Sequence, residues 1–154
     1  MSVAPPVDAA RGSMRLAALH AYPLKSCAGI ALASAQVDAH GLRHDRRWMA
    51  VDDTGRFVTG RQLGAMVRIR AQPIDDGLRF DAPGMETLYV PTPSSDAPRI
   101  AATVWNDGVD AACAGDAADA WLSAALGRAL RLVHFDARSR RAVDPAYAKP
   151  GDEV

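Results

Sequence analysis

Three short clusters of this 154-residue chain carry side chains able to grip an anion. The first is Tyr22-Pro23-Leu24-Lys25-Ser26-Cys27-Ala28-Gly29. Pro23 fixes its own φ and ends whatever strand precedes it, and Gly29 lets the backbone turn into the next. Between them lie an ammonium, a hydroxyl and a run of backbone N–H groups, the ingredients of an anion cradle. No GxxxxGK precedes Ser26, so this is not a P-loop. On spacing alone a Lys-Ser pair is also ordinary solvated turn chemistry.

The second cluster is Gly41-Leu42-Arg43-His44-Asp45-Arg46-Arg47-Trp48-Met49. A guanidinium offers a planar fork for bidentate contact with phosphate and stays charged at any useful pH. If Arg47 opens a strand, Arg46 and Trp48 share one face while Arg47 and Met49 take the other. Arg46 and Arg47 then reach one ligand only where the strand bends or bulges. The plainer reading pairs Asp45 with a neighbouring arginine at a strand end, where an exposed pair stabilises by about 0–1 kcal/mol. In the third cluster, Thr59-Gly60-Arg61-Gln62, Arg61 and Gln62 either add ligand contacts or brace the first two clusters.

Other reactive residues point to packing. His20, His40, His44 and His134 have no metal-type spacing, and Cys27 and Cys113 form no CxxC pair and no zinc set. Cys27 adjoins Lys25, which would favour a thiolate, yet a small buried cysteine fits better. Trp105, Trp121 and Phe80 are expected in the core. There is no Gly-x-Ser-x-Gly elbow, no His-Glu-x-x-His and no Gly-x-Gly-x-x-Gly, so hydrolase, zinc-protease and Rossmann readings lack their opening residues. No residue is nominated as catalytic.

The elements that must position these clusters are mostly short strands. Strands are expected over Met14–Tyr22, Ile30–Val37, Arg47–Val51, Leu88–Val90, Ile100–Trp105, Val109–Cys113 and Leu130–Val133. Hairpins turn at Asp52-Asp53-Thr54-Gly55 and Asp75-Asp76-Gly77, with a further turn at Asn106-Asp107-Gly108. The stretch from Pro91 to Pro98 reads as an exposed loop. Apolar residues at 117, 118, 121, 122, 125 and 126 have helical spacing, with Asp116 as N-cap and Gly127 as the stop. The predicted fold is mainly β: a barrel-like antiparallel arrangement of short strands with one C-terminal amphipathic helix. Residues 1–13 read as a flexible leader, 14–135 as the domain, and 136–154 as a polar linker.

Eighteen basic and eighteen acidic residues cancel, which weakens any reading as a general nucleic-acid binder. The first dozen residues hold no apolar core of a signal peptide, and no run of about 18 apolar residues crosses a bilayer. The expectation is a cytoplasmic protein with no membrane partner.

With the clusters in hand, the chain resembles the MOSC N-terminal β-barrel family of molybdenum-cofactor proteins. Its members include N-hydroxylated-base reductases, mitochondrial amidoxime-reducing components and the C-terminal part of molybdenum-cofactor sulfurase. The resembling blocks are YPLKSCAGI, GLRHDRRWMAVDDTGRFVTGRQ, the DAPGM turn, the VWND strand end, and GDAADAWLSAALG with RLV after it. They cover residues 14 to about 135 in order. The resemblance implies that Lys25 and Ser26 contact the phosphate or pterin part of the molybdenum cofactor, and that Arg46 holds the same group. Arg47, Arg61 and Gln62 are supporting candidates. Gly60 stands where the family often has a longer side chain. In the family a cysteine of the following MOSC domain binds the metal, so this chain, expected to stop short of that domain, offers no metal ligand and by itself holds the cofactor poorly. The implied parent is an oxidoreductase acting on N-hydroxylated or related small substrates with electrons from a redox partner protein. The alternatives are a sulfur-transfer MOSC protein, or a stand-alone β module that binds a protein or small anion without catalysis. An apolar docking face for the following domain would allow a homodimer.

Overall fold

The computed structural model describes residues 15–143 together with Ala146 and Lys149. The leader read over residues 1–13, and the tail beyond Val143 apart from those two residues, lie outside the described residues. In chain order the strands are β1 (His20–Ala21), β2 (Ile30–Ala31), β3 (Val37–Asp38), β4 (Gly41–Leu42), β5 (Trp48–Val51), β6 (Arg70–Ile74), β7 (Gly77–Asp81), β8 (Leu88–Pro91), β9 (Arg99–Val104), β10 (Asp107–Cys113) and β11 (Arg131–His134). A 3-10 turn, Gly64–Arg68, precedes β6, and the helix α1 spans Asp116–Leu126. The fold is therefore mostly β with one helix, and every strand ladder is antiparallel.

Among the described residues the ladders form four separate sheets: β1-β2, β3-β4, β6-β7-β8 and β5-β11-β10-β9. They form no closed ring, so the mostly antiparallel β arrangement stands without a closed barrel, and isolated bridges such as Leu24 to Trp48, Ala28 to Arg70 and Arg56 to Thr103 tie loop residues to these sheets. Short ladders explain this. The predicted strand Met14–Tyr22 shrinks to His20–Ala21, with Arg15 to Ala18 exposed. The predicted strand Ile30–Val37 breaks into β2 and β3 across Ala33-Ser34-Ala35, which offers little apolar surface to bury.

The first predicted hairpin forms. The Val58 amide donates to the Ala50 carbonyl and the Asp52 amide to the Arg56 carbonyl, both at 2.9 Å. Gly55 holds the turn at φ +80°, and a Cβ there would sit 2.5 Å from the Ala101 carbonyl oxygen, so only glycine fits. The Asp75-Asp76 turn joins β6 to β7 as expected. The β9-β10 turn is tighter than predicted: Val104 pairs with Asp107, so Trp105 and Asn106 form a two-residue turn.

Strand β5 is buried on both faces, and alternation decides what each side chain does. Trp48 and Ala50 face a core with Leu24, Phe80, Leu122 and Leu132, while Met49 and Val51 face a second core with Phe57, Val104 and Val133. Helix α1 covers the first core with Ala118 and Leu122. Its N-cap is Gly115, with Asp116 in the first turn near the positive end of the helix dipole, and Gly127 ends it in the left-handed region as predicted. Phe80 is fully buried and Trp121 packs partly buried against the core, its indole N–H donating 2.7 Å to the Glu86 carbonyl. Trp105 contradicts the core expectation at 51% exposure, because it stands at the tip of a two-residue turn rather than on the inner face of a strand.

Candidate anion-binding site

Backbone hydrogen bonds zip the first two clusters together. The Arg46 amide donates to the Tyr22 carbonyl at 2.8 Å, the Trp48 amide to the Pro23 carbonyl at 3.0 Å, and the Lys25 amide to the Trp48 carbonyl at 2.9 Å. The Asp45 carboxylate accepts from the Tyr22 amide at 2.7 Å. Ser26 and Arg46 both adopt left-handed backbone, φ +69° and +52°, where non-glycine residues are uncommon. Arg46 therefore lies in a turn ahead of β5, not in the strand, and this bend lets Arg46 and Arg47 border the same concavity. The third cluster lies against the first, with a Cβ at Gly60 placed 3.4 Å from the Ser26 carbonyl oxygen.

Lys25 sits on the ridge between two concavities. One, of about 510 Å³, is bordered by Lys25, Ser26, Arg56, Arg61 and Gln62 over Phe57 and Trp105. The other, of about 440 Å³, is bordered by Lys25, Arg46, Arg47, His40 and Arg141, with Trp105 and Phe135 also on its wall. The Lys25 ammonium rests 4.9 Å from the Phe57 ring centre and 5.4 Å from that of Trp105, which holds it by cation–π attraction. Phe57 and Trp105 meet edge to face at 4.9 Å. Burial lowers the Lys25 pKa, and the positive charges of Arg46, Arg141 and Arg61 push it the same way. A bound anion would relieve that repulsion.

The two sides differ in charge pairing. Arg46 meets Asp45 and Arg141 meets Asp107, each at 2.9 Å. Lys25, Arg56 and Arg61 form no ion pair with a carboxylate among the described residues. Gln62 is tied into its own turn, its side-chain carbonyl accepting from the Thr59 amide at 2.9 Å. Cys27 is buried in the core, and burial pushes its thiol up to about 12. No group of three His, Cys, Asp or Glu side chains suited to a metal ion occurs among the described residues.

Over residues 13–129 the sequence matches the model of the MOSC N-terminal beta barrel domain. The chain belongs to this family. Members similar to this MOSC-type domain include mitochondrial amidoxime reducing component 2 of Bos taurus, 33% identical over 83% of this chain and 41% of that protein. Mitochondrial amidoxime-reducing component 1 of Mus musculus is 34% identical over 81% of this chain and 38% of its own length. Human molybdenum cofactor sulfurase is 31% identical over 93% of this chain and 17% of its own length. The MOSC-type domain thus spans about two-fifths or less of these curated relatives. The fold is similar to a solution structure of a Bordetella bronchiseptica protein, with a TM-score of 0.52 at 22% identity, covering 67% of this chain and 88% of that one.

Of the residues nominated from sequence, Lys25, Ser26, Arg61 and Gln62 border one concavity, while Lys25, Arg46 and Arg47 border the other. Ser26 and Arg46 do not share a concavity; Lys25 links them. Sequence reasoning missed Arg56, Phe57, Trp105 and Arg141. The signal for Trp105 was its place beside Asn106 at a hairpin tip, where an asparagine-containing pair marks the turn.

Proposed function

We propose that this MOSC-type domain orients the anionic end of a molybdenum cofactor through a basic site centred on Lys25, within a larger oxidoreductase that reduces N-hydroxylated or related small substrates. The single observation that carries this reading is a half-buried ammonium held on two aromatic rings, without a carboxylate, where two cationic concavities meet. Such a group offers its donors to a ligand, and an anion removes the repulsion it feels from neighbouring arginines. Ser26 adds a neutral donor beside it. Arg46 retains most of its five donors after bonding Asp45, so it can reach a phosphate from the other flank. The cofactor's redox chemistry belongs to the metal; these residues bind and orient. A second domain would supply the metal's thiolate, and a redox partner protein the electrons. Similarity to a molybdenum cofactor sulfurase over 93% of the chain supports a second reading, in which the same grip serves sulfur transfer.

The test is molybdenum content per protein in the full-length gene product. Lys25→Ala is expected to lower it roughly tenfold, the scale of one lost charge-assisted hydrogen bond, and Arg46→Ala by less. Unchanged occupancy in folded Lys25→Ala protein would remove the assignment. Reduction of an amidoxime against release of sulfide to an acceptor separates the two readings.

A further inference from the structure

We infer that the face formed by Val67, Arg68 and Arg70 docks a partner protein through a carboxylate-rich surface. The chain is neutral overall, yet between Asp53 and Asp75 it holds Arg56, Arg61, Arg68 and Arg70 with no lysine and no acidic residue. All four arginines are exposed, and none forms an ion pair with a carboxylate among the described residues. Arg68 and Arg70 flank Val67, which is 60% exposed, and the three border a concavity of about 460 Å³ together with Ala82 and Pro83. Asp81 on the same rim is already engaged, accepting from Arg79 at 2.9 Å and Thr87 at 2.6 Å. The backbone beneath is fixed: Met66 and Ile69 are fully buried, and the Ala28 amide donates to the Ile69 carbonyl at 2.9 Å. Little order is then lost from the partner's side of the balance to shape this face on binding. An apolar centre ringed by guanidiniums is the anatomy of a protein interface, and the planar fork of arginine matches carboxylates. The local positive charge steers an acidic surface toward it. A membrane-binding face would present Trp, Phe or Leu to insert, and a nucleic-acid face aromatic rings to stack. No aromatic side chain among the described residues borders this concavity.

This inference does not rest on the cofactor reading, because a peptide tests it without any cofactor. A peptide of glutamates around one leucine, and its counterpart with glutamine for glutamate, are titrated into the full 154-residue chain by NMR, reading backbone amides. The glutamate peptide should bind saturably, shift the amides of residues 67–71 most, and weaken as salt rises; the glutamine peptide should not bind. Arg68→Glu combined with Arg70→Glu should weaken binding roughly tenfold or more, and Val67→Ser about threefold. Equal binding of the two peptides, or undiminished binding by the double variant, would overturn the proposal. Should the double variant fail to fold, Arg68→Gln decides it: a severalfold loss is expected, and unchanged affinity rejects the face. Binding to phosphatidylserine vesicles without binding to the glutamate peptide would assign the face to a membrane and reject a protein partner. Peptide binding by this chain but not by the full-length gene product would show the face covered in cis, and equally reject a separate partner. Unchanged molybdenum content in the Lys25→Ala protein, with peptide binding intact, would refute the cofactor reading alone.

Discussion

The two sides of Lys25 are built from the same residue types and used differently. Toward Arg46 and Arg141, each of those guanidiniums has a carboxylate at 2.9 Å, and backbone hydrogen bonds lock the turn that carries Arg46. Toward Arg56 and Arg61, the cations are unmatched by acid among the described residues, although Arg47 on the other side also has no ion pair and Trp105 lines both concavities. A paired arginine has part of its charge already answered, though Arg46, with one bond to Asp45, keeps donors open to a ligand. An exposed one without a carboxylate has its charge answered only by water and all its donors open to a ligand. Counting basic residues in a sequence cannot make that distinction; geometry can.

The largest expected effect tests the architectural end of this contrast. Arg99 is the most thoroughly paired cation described, bonded to Asp110 and Asp136 with its side chain 13% exposed. Burial alone would raise the Asp136 carboxyl, yet the Arg99 hydrogen bond and the Arg138 and Ser139 amides hold it at about 2. The start of the predicted polar linker is thereby fastened to β9 and β10, with Ser139 buried. Arg99→Ala should destabilise by about 2 kcal/mol or more, since it strands a partly buried carboxylate. Urea unfolding measures this, and phosphate affinity should stay within twofold. A large loss of affinity in folded protein would blur the contrast.

His134 gives the next largest effect. Its ring lies 4.5 Å from that of Trp48, and burial, helped by Arg47, lowers its pKa to about 4. Between pH 6.5 and 4 the unfolded chain then binds more protons than the folded one, so stability falls as pH drops through that window. His134→Gln should flatten the pH dependence by about 1 kcal/mol, allowing for partial exposure to water. Parallel stability curves for the two proteins between pH 7 and 4.5 would contradict it.

The smallest effect lies on the ligand-facing side. Arg56→Ala and Arg61→Ala should change stability by less than about 0.5 kcal/mol, as exposed substitutions do, while each weakens phosphate binding severalfold. A clear loss of stability would show that these arginines brace the fold after all.

Much of the fold was legible because it depends on local chemistry. Asp52 to Gly55 and Asp75-Asp76 announced their turns, and the spacing of Ala118, Trp121 and Leu122 announced a helix. Whether the sheets close was not legible, since closure depends on how far each ladder runs, and two-residue strands such as β1 and β2 end where partners end. Lys25, Ser26 and Arg46 were readable as chemistry, and the resemblance located them. Their division between two concavities was not readable, because it follows from left-handed backbone at Ser26 and Arg46 and from a tryptophan displaced one residue onto a turn.

Titration of inorganic phosphate into the natural chain and into Lys25→Ala, followed by amide shifts and repeated at two salt concentrations, tests the Lys25 site most directly. The account predicts saturable binding with the largest shifts at Ser26 and over residues 56–62, weakening as salt rises, and about tenfold loss in the variant. Equal binding by both proteins, or shifts scattered over the surface without saturation, would contradict it.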